Sequence, residues 1–65
     1  MKGEKMRLKI KMRASLYHFK DKYFDNQNKM FDYIDKMFKS GKIDYVEVYF
    51  KNESDEWLLL SIHDQ

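Results

Sequence analysis

At 65 residues the chain has room for one domain, near the lower limit at which an unstapled polypeptide holds itself together, and a single domain spanning 1–65 is expected. It contains no cysteine, which rules out disulfides and thiolate metal sites; 43% hydrophobic and 17% aromatic content predicts a folded chain despite 37% charged residues. The formal net charge of +2, from 13 Lys and Arg against 11 Asp and Glu, excludes a wholly acidic nucleic-acid mimic and lends little support to nucleic-acid binding through total charge.

The first predicted element is MRLKIKMR, residues 6–13, where Met6, Leu8, Ile10 and Met12 alternate with Arg7, Lys9, Lys11 and Arg13. Successive side chains of a strand point to opposite faces, so the spacing predicts a strand over about 5–13 with one apolar and one positive face. Residues 14–24, ASLYHFKDKYF, fit neither period. The apolar set changes parity near Ala14, as at a bulge, and the first strand is expected to run on to about residue 19.

A helix is predicted over about 26–40, because Met30, Phe31, Ile34, Met37 and Phe38 recur at the spacing of one helical face. Asp25, Asn26 and Asn28 can each cap its start with a side-chain oxygen. Ser40 and Gly41 end it, with Gly41 free to adopt a left-handed conformation and Lys39 and Lys42 near the negative end of the dipole.

IDYVEVYF at 43–50 and WLLLSIH at 57–63 are β-branched, aromatic or aliphatic runs joined by the polar KNESDE, and they read as an antiparallel hairpin. The expected fold is therefore α+β, a small β-α-β-β domain with a three-stranded antiparallel-type sheet and one helix packed on one face. Its core set is Met6, Leu8, Ile10 and Met12, then Val46, Val48 and Phe50, then Leu58, Leu60 and Ile62, with the apolar face of the helix above them.

The opposite parity leaves Arg7, Lys9, Lys11, Arg13, Tyr45, Glu47, Tyr49, Trp57, Leu59, Ser61 and His63 on an uncovered face. Exposed aromatic and aliphatic groups beside cations often mark contact surfaces. Three readings compete for it. In the first, the rings lie flat across the strands under Arg and Lys stems, and Glu47 pairs a cation across the ladder. In the second, the face binds a partner protein or a second copy, since Trp, Tyr and Arg dominate such contacts. In the third, single-stranded nucleic acid stacks on the rings while cations track phosphates. The third ranks last: IDYVEVYF lacks the glycine of RNA-recognition modules, Glu47 would repel phosphate, and no known docking motif supports the basic row.

Catalytic patterns are missing. His18 and His63 have no acidic pair at a metal-ligand spacing, Asp32 and Asp35 interleave with Lys36 and Lys39 as on a solvated helix face, and glycine occurs only at 3 and 41, too sparsely for a phosphate loop. The chain is expected not to be an enzyme and to use no cofactor. No apolar run approaches the ~20 residues of a membrane-spanning helix, and the basic N-terminus lacks an apolar segment after it, so a cytoplasmic protein is expected. Abundant Lys, Asn, Ile, Phe and Tyr with no proline and one alanine suggest AT-rich coding. The resulting expectation is a small binding protein that acts stoichiometrically on another protein, in the manner of a phage or mobile-element inhibitor of a host defence factor such as an anti-CRISPR protein. Its binding set is Arg7, Lys9, Lys11, Arg13, Tyr45, Glu47, Tyr49, Trp57, Leu59 and His63, and an exposed strand edge is the second candidate surface, for strand addition or homodimerisation.

Overall fold

A computed structural model describes residues 6–64. The chain forms β1 (Leu8–Ala14), β2 (Tyr17–His18), β3 (Lys22–Phe24), α1 (Gln27–Lys39), β4 (Tyr45–Lys51) and β5 (Trp57–Asp64). Among the described residues the fold is α+β, with one helix and an antiparallel sheet of five strands in the order β2-β1-β4-β5, β3 pairing with β1.

The two additional strands lie in the segment that fits no period. Instead of prolonging β1, the chain reverses through Ser15 and Leu16 and runs back beside it, pairing Ala14 with Tyr17 and Arg13 with His18. Ser15 takes a positive φ of 57° at the first central position of this two-residue turn, a conformation in which hairpins favour glycine. The Ser15 N–H donates to Asp44 Oδ2 at 3.1 Å. Farther back, Leu8 pairs with Phe24 and Ile10 with Lys22, one residue out of step with the first register. The extra residue falls in the returning strand, between β2 and β3, and not near Ala14.

Asn26 has extended backbone angles and its Oδ1 accepts from the Lys29 N–H at 3.0 Å, so it is the residue that caps α1. At the other end Gly41 has φ 77°, its N–H donates to the Phe38 carbonyl and the Lys42 N–H to the Met37 carbonyl, both at 3.1 Å. This paired closure satisfies two of the carbonyls that a helix end leaves free. On the solvated face Lys36 meets Asp32 at 3.5 Å and Lys39 meets Asp35 at 3.1 Å.

The buried core consists of Ile10, Met12, Met30, Ile34, Ile43, Val46 and Val48, with Leu8, Phe19, Phe24, Tyr33, Met37 and Phe38 packed around it. It is centred on β1, β4 and the helix. Met6, Phe31, Leu58, Leu60 and Ile62, all expected inside, are exposed, while Phe19, Phe24 and Ile43 take up part of the interior. The reason is the position of the returning strand: β3 carries Phe24 under α1 against Tyr33, with ring centroids 5.6 Å apart, so the helix sits over the β1 side of the sheet and reaches β5 only near His63, leaving most of that strand uncovered. No helix among the described residues is long and apolar enough to cross a membrane.

Candidate functional site

Residues paired directly across antiparallel strands share a face, so the registers assign each expected site residue to a side. Arg7, Lys9, Lys11 and Arg13 on β1 and the stretch before it, Tyr45, Glu47 and Tyr49 on β4, and Trp57 and Leu59 on β5 do lie together on the face away from the helix. His63 does not. Between Val48 and Tyr49 the β4–β5 register shifts by one residue: Tyr49 pairs with Leu59, but Val48 pairs with Ser61, leaving Leu60 without an opposite partner. Beyond that bulge the faces exchange. Ser61 and His63 turn toward the helix, opposite the buried Val48 and Val46, and Ile62 turns to the open face opposite Glu47.

On the open face the cations are engaged within the molecule. Lys9 is only 9% exposed, and its Nζ lies 5.0 Å from the Tyr49 ring centroid and 4.6 Å from that of Trp57. Arg13 stacks on Tyr45, with Cζ 4.2 Å from the ring centroid. Arg7 Nη2 donates to the Lys51 carbonyl at 2.7 Å, and Lys11 Nζ donates to Asp21 Oδ2 at 3.4 Å. Trp57 is further packed by Lys51 Nζ at 5.0 Å and by Tyr23, whose ring centroid is 5.8 Å away. The rings thus supply π faces to charges that long aliphatic stems carry across the sheet.

Glu47 organises the middle of this face. Alternate residues of a strand point the same way, which brings Tyr45 and Tyr49 to either side of it. The Tyr45 hydroxyl donates to Oε2 at 2.6 Å and the Tyr49 hydroxyl to Oε1 at 2.7 Å. These hydrogen bonds hold the carboxyl below the usual carboxylate range against the opposing effect of burial, with lesser help from Lys11 and Arg13. The same bonds push the Tyr45 and Tyr49 hydroxyls above the ordinary phenol value, since ionising either would place a second negative charge beside Glu47. Glu47 accepts from its two strand neighbours, and Lys11, directly opposite, reaches Asp21.

The exposed apolar surface lies elsewhere. β5 is the outer strand, and Leu58, Leu59, Leu60 and Ile62 are 42%, 51%, 52% and 49% exposed. Leu59 and Ile62 face the open side and Leu58 the helix side, so the edge is apolar on both faces. Where α1 passes β5, Phe31, Ile34, Asp35, Phe38, His63 and Asp64 line an open groove of about 370 Å³, with the Phe31 and His63 rings edge-to-face at 6.4 Å. Strand alternation alone could not find this arrangement, because a single bulge reverses it. The unbroken run WLLL, which suits neither a one-sided nor a solvated strand, is the signal that could have found it.

Among the described residues no group of three or more His, Asp or Glu could hold a metal ion. No protein family, curated protein or solved structure matches the chain.

Proposed function

We propose that this chain is a non-enzymatic binding domain that acts by stoichiometric protein–protein interaction, and that its contact surface is the β5 edge with the adjoining groove. One observation carries the reading: the four aliphatic side chains of an outer strand are about half exposed, on both of its faces. Solvent-facing strands are usually polar on at least one side, and contiguous exposed apolar surface marks sites of association. An outer strand also presents a row of N–H and C=O groups to which an extended segment can add.

The edge replaces the basic and aromatic face as the leading surface because Lys9, Arg13 and Glu47 are already occupied by Trp57, Tyr45 and Tyr49. A phage or mobile-element inhibitor remains the narrower form of the proposal; small size and AT-rich coding character are its support.

The test is affinity capture by the tagged chain from nuclease-treated bacterial lysate that also holds the untagged chain, run beside Leu60→Lys. A defined protein, whether the untagged chain itself or another, retained by the wild type after nuclease and lost from the variant is the expected result. If nucleic acid dominates the eluate and its digestion releases everything else, the reading is wrong.

A further inference from the structure

We infer that the partner of the β5 edge is a second copy of this chain, joined about a two-fold axis that passes between Leu60 and Ser61. The inference rests on the β5 edge being the contact surface and adds the identity and register of what covers it.

The two outer edges of the sheet differ. The β2 and β3 side is broken into strands of two and three residues, the kind of interrupted edge that resists pairing. β5 runs for eight residues and contains neither proline nor lysine, the usual blunting residues. It is the edge on which another strand can be laid.

The bulge makes β5 complementary to itself. Antiparallel pairing of two copies about an axis perpendicular to the sheet sets residue i opposite residue j of the other copy, and opposed residues must share a face. With the axis between Leu60 and Ser61, Leu59 lies opposite Ile62, both on the open face, and Leu58 lies opposite His63, both on the helix side. Trp57 and Asp64, both on the open face, meet at the ends. In a regular strand this register would oppose residues of opposite faces. The face reversal at the bulge is what permits it.

The same operation fills the groove. Leu58 lies near the start of β5, where it is exposed, and the groove formed by Phe31, Ile34, Phe38 and His63 lies at the strand's other end. Antiparallel pairing brings the start of one strand to the end of the other, so each copy's Leu58 enters the partner's groove beside His63. All exposed aliphatic side chains of β5 then lie at or beside the interface. Self-association also suits a chain whose described residues bury seven hydrophobic side chains and which has no cysteine to form a staple.

Sedimentation equilibrium of the untagged chain tests this. The expected mass is about twice 8.1 kDa for the wild type and for Leu16→Glu, an exposed position away from β5, and 8.1 kDa for Leu59→Glu and Ile62→Glu. The register is tested by Leu59→Cys combined with Ile62→Cys. Those positions are three residues apart on one strand, roughly 10 Å, too far for a bond within one copy. The double variant should give a reducible covalent dimer under mild oxidation.

A monomeric wild type, a dimer indifferent to both edge substitutions, or failure of the double variant to cross-link overturns the inference. The broader proposal fails separately. A monomer that still captures a different protein in an edge-dependent way would sustain protein binding while removing the second copy.

Discussion

The Lys9 ammonium lies 4.6 Å from the centre of the Trp57 ring, two strands away across the sheet, and Lys9 is one of the least exposed charged residues in the fold. A cation that looks available for phosphate in the sequence is therefore part of the packing. Lys9→Ala removes both the charge over the ring and the stem that covers it. It should lower stability by about 1–2 kcal/mol. Urea unfolding followed by the fluorescence of Trp57, the single tryptophan, measures this directly. Lys9→Met keeps most of the stem and should recover a substantial part of the loss.

Glu47 gives the stability a pH dependence whose sign follows from its hydrogen bonds. Its folded-state carboxyl titrates below the ordinary value of 4.5 because Tyr45 and Tyr49 donate to the charged form. Its contribution is complete above that value and is lost as pH falls through the depressed one. At neutral pH, Glu47→Gln should cost about 1 kcal/mol, discounted for the partial exposure of the site. The gap between wild type and variant should narrow as unfolding is measured toward pH 2.

The tyrosines respond at the other extreme. Their hydroxyls are raised above 10.0 by donation to Glu47, so the folded state holds those protons more tightly than the unfolded chain. That contribution is intact below pH 10 and disappears as pH rises past the raised values. Ultraviolet titration should show two tyrosines ionising late in the wild type and earlier in Glu47→Gln. If the two profiles coincide, the bonds to Glu47 do not persist in solution.

The sequence made the helix legible almost to the residue, because a period and its flanking cap residues agreed: Asn26, one of three candidate caps, and Gly41 bound it, and Met30 and Ile34 of the expected apolar face are buried. β1 and β4 were legible for the same reason, one strict alternation facing another. What was hidden depends on single backbone events. Ser15 turns the chain without a glycine or asparagine to announce it, and the unpaired Leu60 reverses the faces of the residues that follow. Nine of the ten residues in the expected site do share a face. Their mutual contacts, which remove much of that face from play, were one of three readings that composition could not choose between.

Gly41 offers a test of the helix terminus that does not involve packing. A Cβ there would meet nothing within 4 Å, so Gly41→Ala is penalised by the backbone alone, at φ 77°. An L residue in that region costs about 1 kcal/mol, partly offset by the lower entropy of the unfolded alanine variant. Chemical denaturation should show a loss of that order with an unchanged dependence on denaturant concentration.

The β1–β2 turn makes the opposite prediction. Ser15 carries a side chain at φ 57° in the first central position of a two-residue hairpin loop, the position where glycine is preferred. The residue's backbone N–H, not its hydroxyl, makes the bond to Asp44, so a glycine would keep that bond. Ser15→Gly relieves the left-handed strain and gives back part of the gain as unfolded-state entropy. The net effect should be a stabilisation of about 0.5 kcal/mol, read from urea unfolding. Ser15→Val, β-branched and ill suited to positive φ, should destabilise the chain by at least as much. If both substitutions are neutral, the chain does not reverse at Ser15, and the pairing of residues 17–24 with β1, which seats Phe24 beneath the helix, would have to be abandoned.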